Sequence, residues 1–209
     1  MQIGAMMAGK TQVTIHVGWT VPERLRETVK REKPDLVEWR RQRAEQRPKR
    51  RMSSQDWLEW REETAQLLAA EQAAGRLLAT QPAAVEWGAR TELAERGWLD
   101  QEWPQVPDRA RLRGRWPGSR DAGAPHILVV ALDTALAERV LAACWFTSVE
   151  AMTKLRAWRD AHPGIEYGAA MDGYEKLSAQ VTTPGEIWRA AVRHVFAAHP
   201  KDTSTLIHI

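Results

Sequence analysis

Apolar and polar residues alternate strictly at one place near the start of the chain. Val13, Ile15, Val17, Trp19 and Val21 are separated by Thr14, His16, Gly18 and Thr20. A period of two puts the apolar set on one face of a strand, predicted over 12–21. Gly18 weakens that strand or marks a bulge. Pro22 ends it and also suits the first turn of a helix. From Glu23 to Arg31 the period lengthens, with Leu25 and Val29 on one helical face. Pro34 is expected to break this helix, and Asp35 to cap a second one through about Gln46. The clearest periodic stretch follows, with Trp57, Trp60, Thr64, Leu67, Leu68, Ala74 and Leu78 at three-four spacing. It predicts one continuous helix over 54–79, capped by Ser54 and burying Trp57, Trp60, Leu67 and Leu78. A further helix is expected over 83–95, stopping at Gly97.

The pattern then lapses. Residues 100–125 carry four prolines and three glycines without periodicity, which reads as a long loop or linker. It divides the chain into an N-terminal strand-plus-helix region, 1–99, and a mainly helical region, 126–209. Within the latter, Ile127 to Leu132 is a short apolar run, for which a buried strand is favoured over a helix. Asp133-Thr134 opens a helix to about Phe146, and Ser148 caps another that ends at His162-Pro163-Gly164. Two more helices are expected over 172–181 and 184–198. The fold class is α+β and predominantly helical, with an N-terminal strand and a second strand near 127–132.

Composition changes this picture in three ways. Eleven Trp stand against two Phe and two Tyr, so large half-buried apolar surfaces with an N–H to satisfy are abundant. Cys144 is the only cysteine, which excludes an intramolecular disulfide and fits a reducing cytoplasm. No apolar run approaches the ~18 residues of a membrane span, and the N-terminus lacks the pattern of a secretion signal. A cytoplasmic protein without a membrane partner is expected.

The net charge of +3 conceals blocks of opposite sign. Residues 40–51 hold seven Arg or Lys against Glu45 alone, 52–108 hold four Arg against eleven acids, and 109–120 hold five Arg and no acid. The basic blocks either meet phosphates or fold back on the acidic middle. The first reading makes Arg47, Lys49, Arg50, Arg51, Arg109, Arg111, Arg113, Arg115 and Arg120 phosphate contacts, with Trp116 available to stack on bases.

Three motifs bear on the chemistry. Gly4-Ala5-Met6-Met7-Ala8-Gly9-Lys10-Thr11 matches the phosphate-loop pattern of nucleotide triphosphatases, and the run 127–133 resembles their apolar strand ending in a magnesium-side aspartate. The resemblance implies nucleotide binding by Gly9, Lys10, Thr11 and Asp133. That family needs a helix after the loop, whereas a period-two strand follows here. Residues 12–46 loosely resemble ribbon-helix-helix DNA-binding proteins. The resemblance implies a strand pairing with a dimer mate and presenting Thr14, His16 and Thr20 to a groove. Residues 141–158 follow helix-turn-helix spacing, with Lys154, Arg156 and Arg159 on the outer face of the second helix, although Phe146 stands where glycine usually turns the chain.

No other enzyme signature stands out. His194 and His199 are five apart, off one helical face, which disfavours paired metal ligation. The sequence points first to a nucleic-acid-binding, more particularly DNA-binding, regulatory or accessory protein that needs no cofactor. The alternatives are a structural or adaptor subunit, homodimeric or bound to another protein through its Trp-rich helix, and a phosphate-loop triphosphatase.

Overall fold

A computed structural model describes residues 9–48, 52–111, 116, 126–164 and 171–200. In chain order the elements are β1 (Lys10–Val17), α1 (Val21–Glu45), α2 (Ser54–Ala73), α3 (Gln81–Glu95), a single 3-10 turn (Asp108–Ala110), β2 (His126–Asp133), α4 (Thr134–Ala161), α5 (Met171–Ser178) and α6 (Pro184–Ala198). The class is α+β and predominantly helical, as the pattern predicts.

The two strands pair antiparallel in a two-stranded sheet, from Lys10 opposite Asp133 to Val17 opposite His126. Alternation sets the faces. Ile15, Val17, Leu128, Val130 and Leu132 point inward and are buried, while Ile127 and Val129 point out and are more than half exposed. β1 stops at Val17, earlier than the pattern suggests. Gly18 ends the pairing, and Trp19 turns outward to lie edge-on against His126, 72% exposed. β1 thus finds its partner within its own chain. The ribbon-helix-helix expectation of a strand left for a dimer mate is not met.

Beneath the sheet α3 and α6 form the tightest helix pair. A Cβ on Gly88 would lie 2.1 Å from the carbonyl oxygen of Ala191, so the backbones meet where a side chain is missing. Val85, Ala89 and Leu93 of α3 interlock there with Ile187, Ala191 and Val195 of α6, all fully buried. Full burial of each larger side chain contributes about 1.5–3 kcal/mol. Val140, Cys144, Ala151 and Leu155 of α4 join the same core, as do Val106 and Ala110 of the long connection, so one core gathers residues from both sides of it.

The caps follow the sequence. Asp133 accepts from the Leu136 N–H at 2.8 Å. Thr183 and Glu186 form a reciprocal capping box on α6, and Ser53 with Asp56 form one on α2, one residue before the expected Ser54. Each cap is worth about 1 kcal/mol.

Three expectations fail. Pro34 does not break the first helix, since α1 runs 25 residues straight through it. The missing bond falls on the carbonyl of Lys30, an exposed residue whose carbonyl water can reach. No turn separates the two halves of α4. Residues 141–158 lie in one helix, so the helix-turn-helix spacing belongs to a continuous rod. Ser148 caps nothing. It is buried, donating to the Thr182 carbonyl at 3.2 Å and accepting from the Thr182 N–H at 2.9 Å. Finally, α2 ends at Ala73, and Gly75 at φ +80° turns the chain away. None of the residues of α2 is buried. Trp57 is 38% and Leu67 42% exposed, and only Leu78, beyond the helix, reaches the core.

Candidate functional sites: the helical arm and the arginine segments

The first half of α1 belongs to the core through Leu25, Thr28 and Val29. Arg24 lies over the Phe196 ring at 4.2 Å, and His199 faces Glu32 at 3.3 Å. Past Leu36 no residue of α1 is buried. The outer part of α1 and α2 run antiparallel as an arm. Arg43 is its clamp, with Nη2 2.7 Å from Glu63, Nε donating to Thr64 at 3.2 Å and the guanidinium 5.7 Å over Trp60. Arg47 lies 5.2 Å over Trp57, which stacks on Trp60 at 5.4 Å. Trp39 and Leu67 line one open groove between the two helices. The apolar stripe of α2 therefore faces α1 but is only half covered. Val37 and Leu58 are exposed on the arm as well, at 64% and 57%.

The arm is also electrically divided. α2 carries five acids against Arg61, whereas residues 37–51 carry seven basic residues against Glu38 and Glu45. Within α1, Arg41 joins Glu38 and Glu45 at 2.7 and 2.5 Å. The hydrogen bond from Arg41, with a second from Gln42, lowers the Glu38 carboxyl to about 2.

The structure scatters the nucleic-acid contacts expected from the sequence. Arg109 lies 5.5 Å over the Trp145 ring. Arg111 makes a two-pronged pair with Glu138 at 2.5 and 2.6 Å. Trp116 is buried edge-on against Trp145 at 6.1 Å, so its faces are not open to a base. On α4, Lys154 pairs with Glu150 at 2.6 Å, Arg159 bonds the Tyr174 hydroxyl at 2.8 Å, and Arg156 is exposed. Arg47 is exposed at the far end of the arm. Lys49, Arg50, Arg51, Arg113, Arg115 and Arg120 lie outside the described residues. At 109–116 the described side chains thus turn to Glu138 and Trp145 of α4, and not to the acidic stretch 52–108 that the second reading of a basic block named.

The residues of the phosphate-loop resemblance do meet, but in another arrangement. Lys10 and Thr11 sit inside β1, not at a helix N-terminus. Lys10 pairs with Glu86 at 2.8 Å, and Thr11 shares a hydrogen bond with Thr134 at 3.0 Å. The same Glu86 oxygen accepts the Asp133 N–H at 2.7 Å, and the Gly9 carbonyl accepts from the Thr134 N–H at 3.0 Å. These bonds lock β1 to the start of α4. Lysine, hydroxyl and aspartate are bonded within the fold, and the chain after the lysine continues as a strand instead of the helix that the phosphate-loop arrangement needs.

One cluster escaped the sequence reading. Glu92 of α3 is buried, with one carboxylate oxygen 2.7 Å from Arg96 Nε and the other 2.8 Å from His194 Nε2 of α6. Glu95 reaches within 3.5 Å of the same nitrogen. Burial alone would raise the Glu92 carboxyl, but the hydrogen bonds from Arg96 and His194 prevail and hold it below its ordinary value. The signal was available: Glu92 falls on the same helical stripe as Val85, Ala89 and Leu93, and a carboxylate on a core stripe implies a charged partner. His194 and His199 do part company, as their spacing implied, each facing a different glutamate.

Comparison with protein families, with curated proteins and with solved structures returned no match to this chain. No helix among the described residues is long and apolar enough to cross a membrane.

Proposed function

We propose that the protein is a structural or adaptor subunit that assembles through its helical arm, and that the occupant of the arm is a second copy of the same chain. The observation that carries this reading is α2, 20 residues long with two tryptophans and none of its residues buried. A helix with an apolar stripe is stabilised mainly by what covers the stripe. α1 supplies only half a cover. The charge pattern selects the rest. An acidic α2 beside a basic outer α1 is complementary to itself when a twofold axis sets α1 of one arm against α2 of the other. Two arms paired in this way form a four-helix bundle closed around Trp39, Trp57, Trp60 and Leu67.

Val37 and Leu58 are exposed in the single chain, so Val37→Glu with Leu58→Glu leaves the arm's own packing intact. Light scattering of the wild type should give twice the chain mass, and the double variant should give the chain mass with unchanged helicity. A wild type that stays monomeric at its highest soluble concentration, or a double variant that stays dimeric, overturns the reading.

A second reading is favoured by the exposure of Arg40 and Arg47 on the outer arm, next in sequence to Lys49, Arg50 and Arg51. Here the arm's basic end, rather than the segment at 109–120, contacts nucleic-acid phosphates, and the protein is an accessory nucleic-acid-binding factor.

A further inference from the structure

We propose that Glu92, Glu95 and His194 form a binding site for a divalent transition metal of the zinc class, built across the α3–α6 contact. The argument starts from the backbone. Gly88 and Ala191 bring the two helices together closely enough that a Cβ on Gly88 would strike α6. Glu92 lies one turn beyond Gly88, and His194 one turn beyond Ala191. Glu95 follows Glu92 by three residues, on the same helical face. The close approach therefore aims an imidazole and two carboxylates at one point. It does so between two of the best-buried helices of the fold, where ligand positions are held rather than sampled.

The distances fit an ion. Ligands bonded at ~2.0–2.1 Å in a tetrahedral site are separated from one another by about 3.3 Å. The His194 nitrogen is 2.8 Å from a Glu92 oxygen and 3.5 Å from a Glu95 oxygen, and the three candidate ligand atoms lie within 4.8 Å of one another. A small displacement along each side chain opens the centre to a cation. Arg96 occupies the other oxygen of Glu92 at 2.7 Å. That bond fixes the carboxylate orientation and leaves one oxygen facing the histidine, the task of a supporting partner around a metal. Two carboxylates against one guanidinium leave the centre with an excess negative charge that attracts a cation.

One imidazole nitrogen and two carboxylate oxygens suit zinc and its neighbours better than magnesium or calcium, which prefer oxygen alone. Three protein ligands leave a fourth position for water, on the side of the exposed Glu95 (62%).

The test uses the full chain, stripped with a chelator and titrated with zinc by calorimetry and with cobalt by visible absorption. The expected result is one equivalent bound per chain at micromolar or tighter affinity, with the strong visible bands of tetrahedral cobalt. His194→Ala should weaken zinc by at least about tenfold and remove those bands. Glu95→Gln changes an exposed side chain that the fold does not need, and should also weaken zinc by at least about tenfold. Failure to take up micromolar zinc overturns the proposal. So does an affinity unchanged in Glu95→Gln, or one unchanged in a folded His194→Ala. In those cases the cluster is an ion pair and nothing more.

Discussion

At Gly88 a single hydrogen in place of a side chain determines how the core closes. The Ala191 carbonyl occupies the space a Cβ would need, so Gly88→Ala must push α3 and α6 apart along their whole contact. Overpacking of this kind costs about 1–3 kcal/mol and sometimes more. For a chain of this length the melting temperature should fall by roughly 2–4 °C per kcal/mol, measurable by calorimetry. A variant that melts with the wild type would show that the helices do not meet there. Nothing in the sequence marks this glycine. It lies among Ala84, Val85 and Ala89 like any weak point in a helix, and only the partner helix gives it a purpose. Arg111 and Trp116 teach the complementary lesson. Their composition suits phosphate contact and base stacking, yet Glu138 and Trp145 reach them first. Residue type states which partners are chemically acceptable, and the fold decides which are within reach.

Among the elements, strands and capped helices were the most legible. β1 is visible because period two leaves no alternative face for Ile15 or Val17. Residues 127–132, by contrast, are a continuous apolar run without alternation, and only the structure shows that Ile127 and Val129 face outward instead of being buried. Asp133 announced a helix start because its side chain satisfies an N–H group locally, whereas the cap at Thr183 is seen only in the structure. Two of the misreadings, at Pro34 and Ser148, share a cause: a local breaker does not act alone, whereas at Gly75 the breaker does end the helix. Pro34 costs one hydrogen bond, but α1 is anchored on the core side by Leu25, Val29 and Leu36 and continues past it. Ser148 resembles a cap but is held inward by Thr182, and Thr147 turns its hydroxyl back to the Ala143 carbonyl at 2.7 Å, so the helix runs on.

The arm makes its own prediction at this scale. Glu38 is held at about 2 by its bond from Arg41, below the ordinary 4.5 it has when the chain is unfolded. Its contribution is therefore fully present above about pH 4.5 and is lost as pH falls towards 2. Helicity followed by circular dichroism should decline over that interval, with a smaller decline in Glu38→Gln. Because the pair is exposed, added salt should shrink the difference. An acid limb identical in the two proteins would remove Glu38 from the account.

For the whole molecule, the two proposed uses of the arm separate cleanly in solution. If its basic end binds phosphate, retention on heparin and affinity for duplex DNA should fall with salt. Each phosphate contact adds a slope of about −0.9. Arg40→Ala with Arg47→Ala should then flatten that slope by up to about two units. Arg111→Ala should leave it unchanged, since that side chain already holds Glu138. Wild type that passes through heparin at low salt ends the nucleic-acid reading and leaves self-association untouched.

The pairing of β1 with β2 has a consequence for how the chain reaches this state. Thr11 and Thr134 touch across 123 positions of sequence, and the strands they flank have no other partner among the described residues. During synthesis β1 leaves the ribosome first and stays an open edge until β2 has followed it. α1, α2 and α3 emerge in the interval and can close only local contacts. Joining ends so far apart adds an entropic barrier that must be crossed before the sheet yields any stability. The sheet therefore cannot form before residues 126–133 have been made, and the α3–α6 pair must wait longer still, for residues 184–198. A nascent chain stalled before β2 would present a strand with two free edges to its neighbours, the condition under which chains join to one another instead of folding.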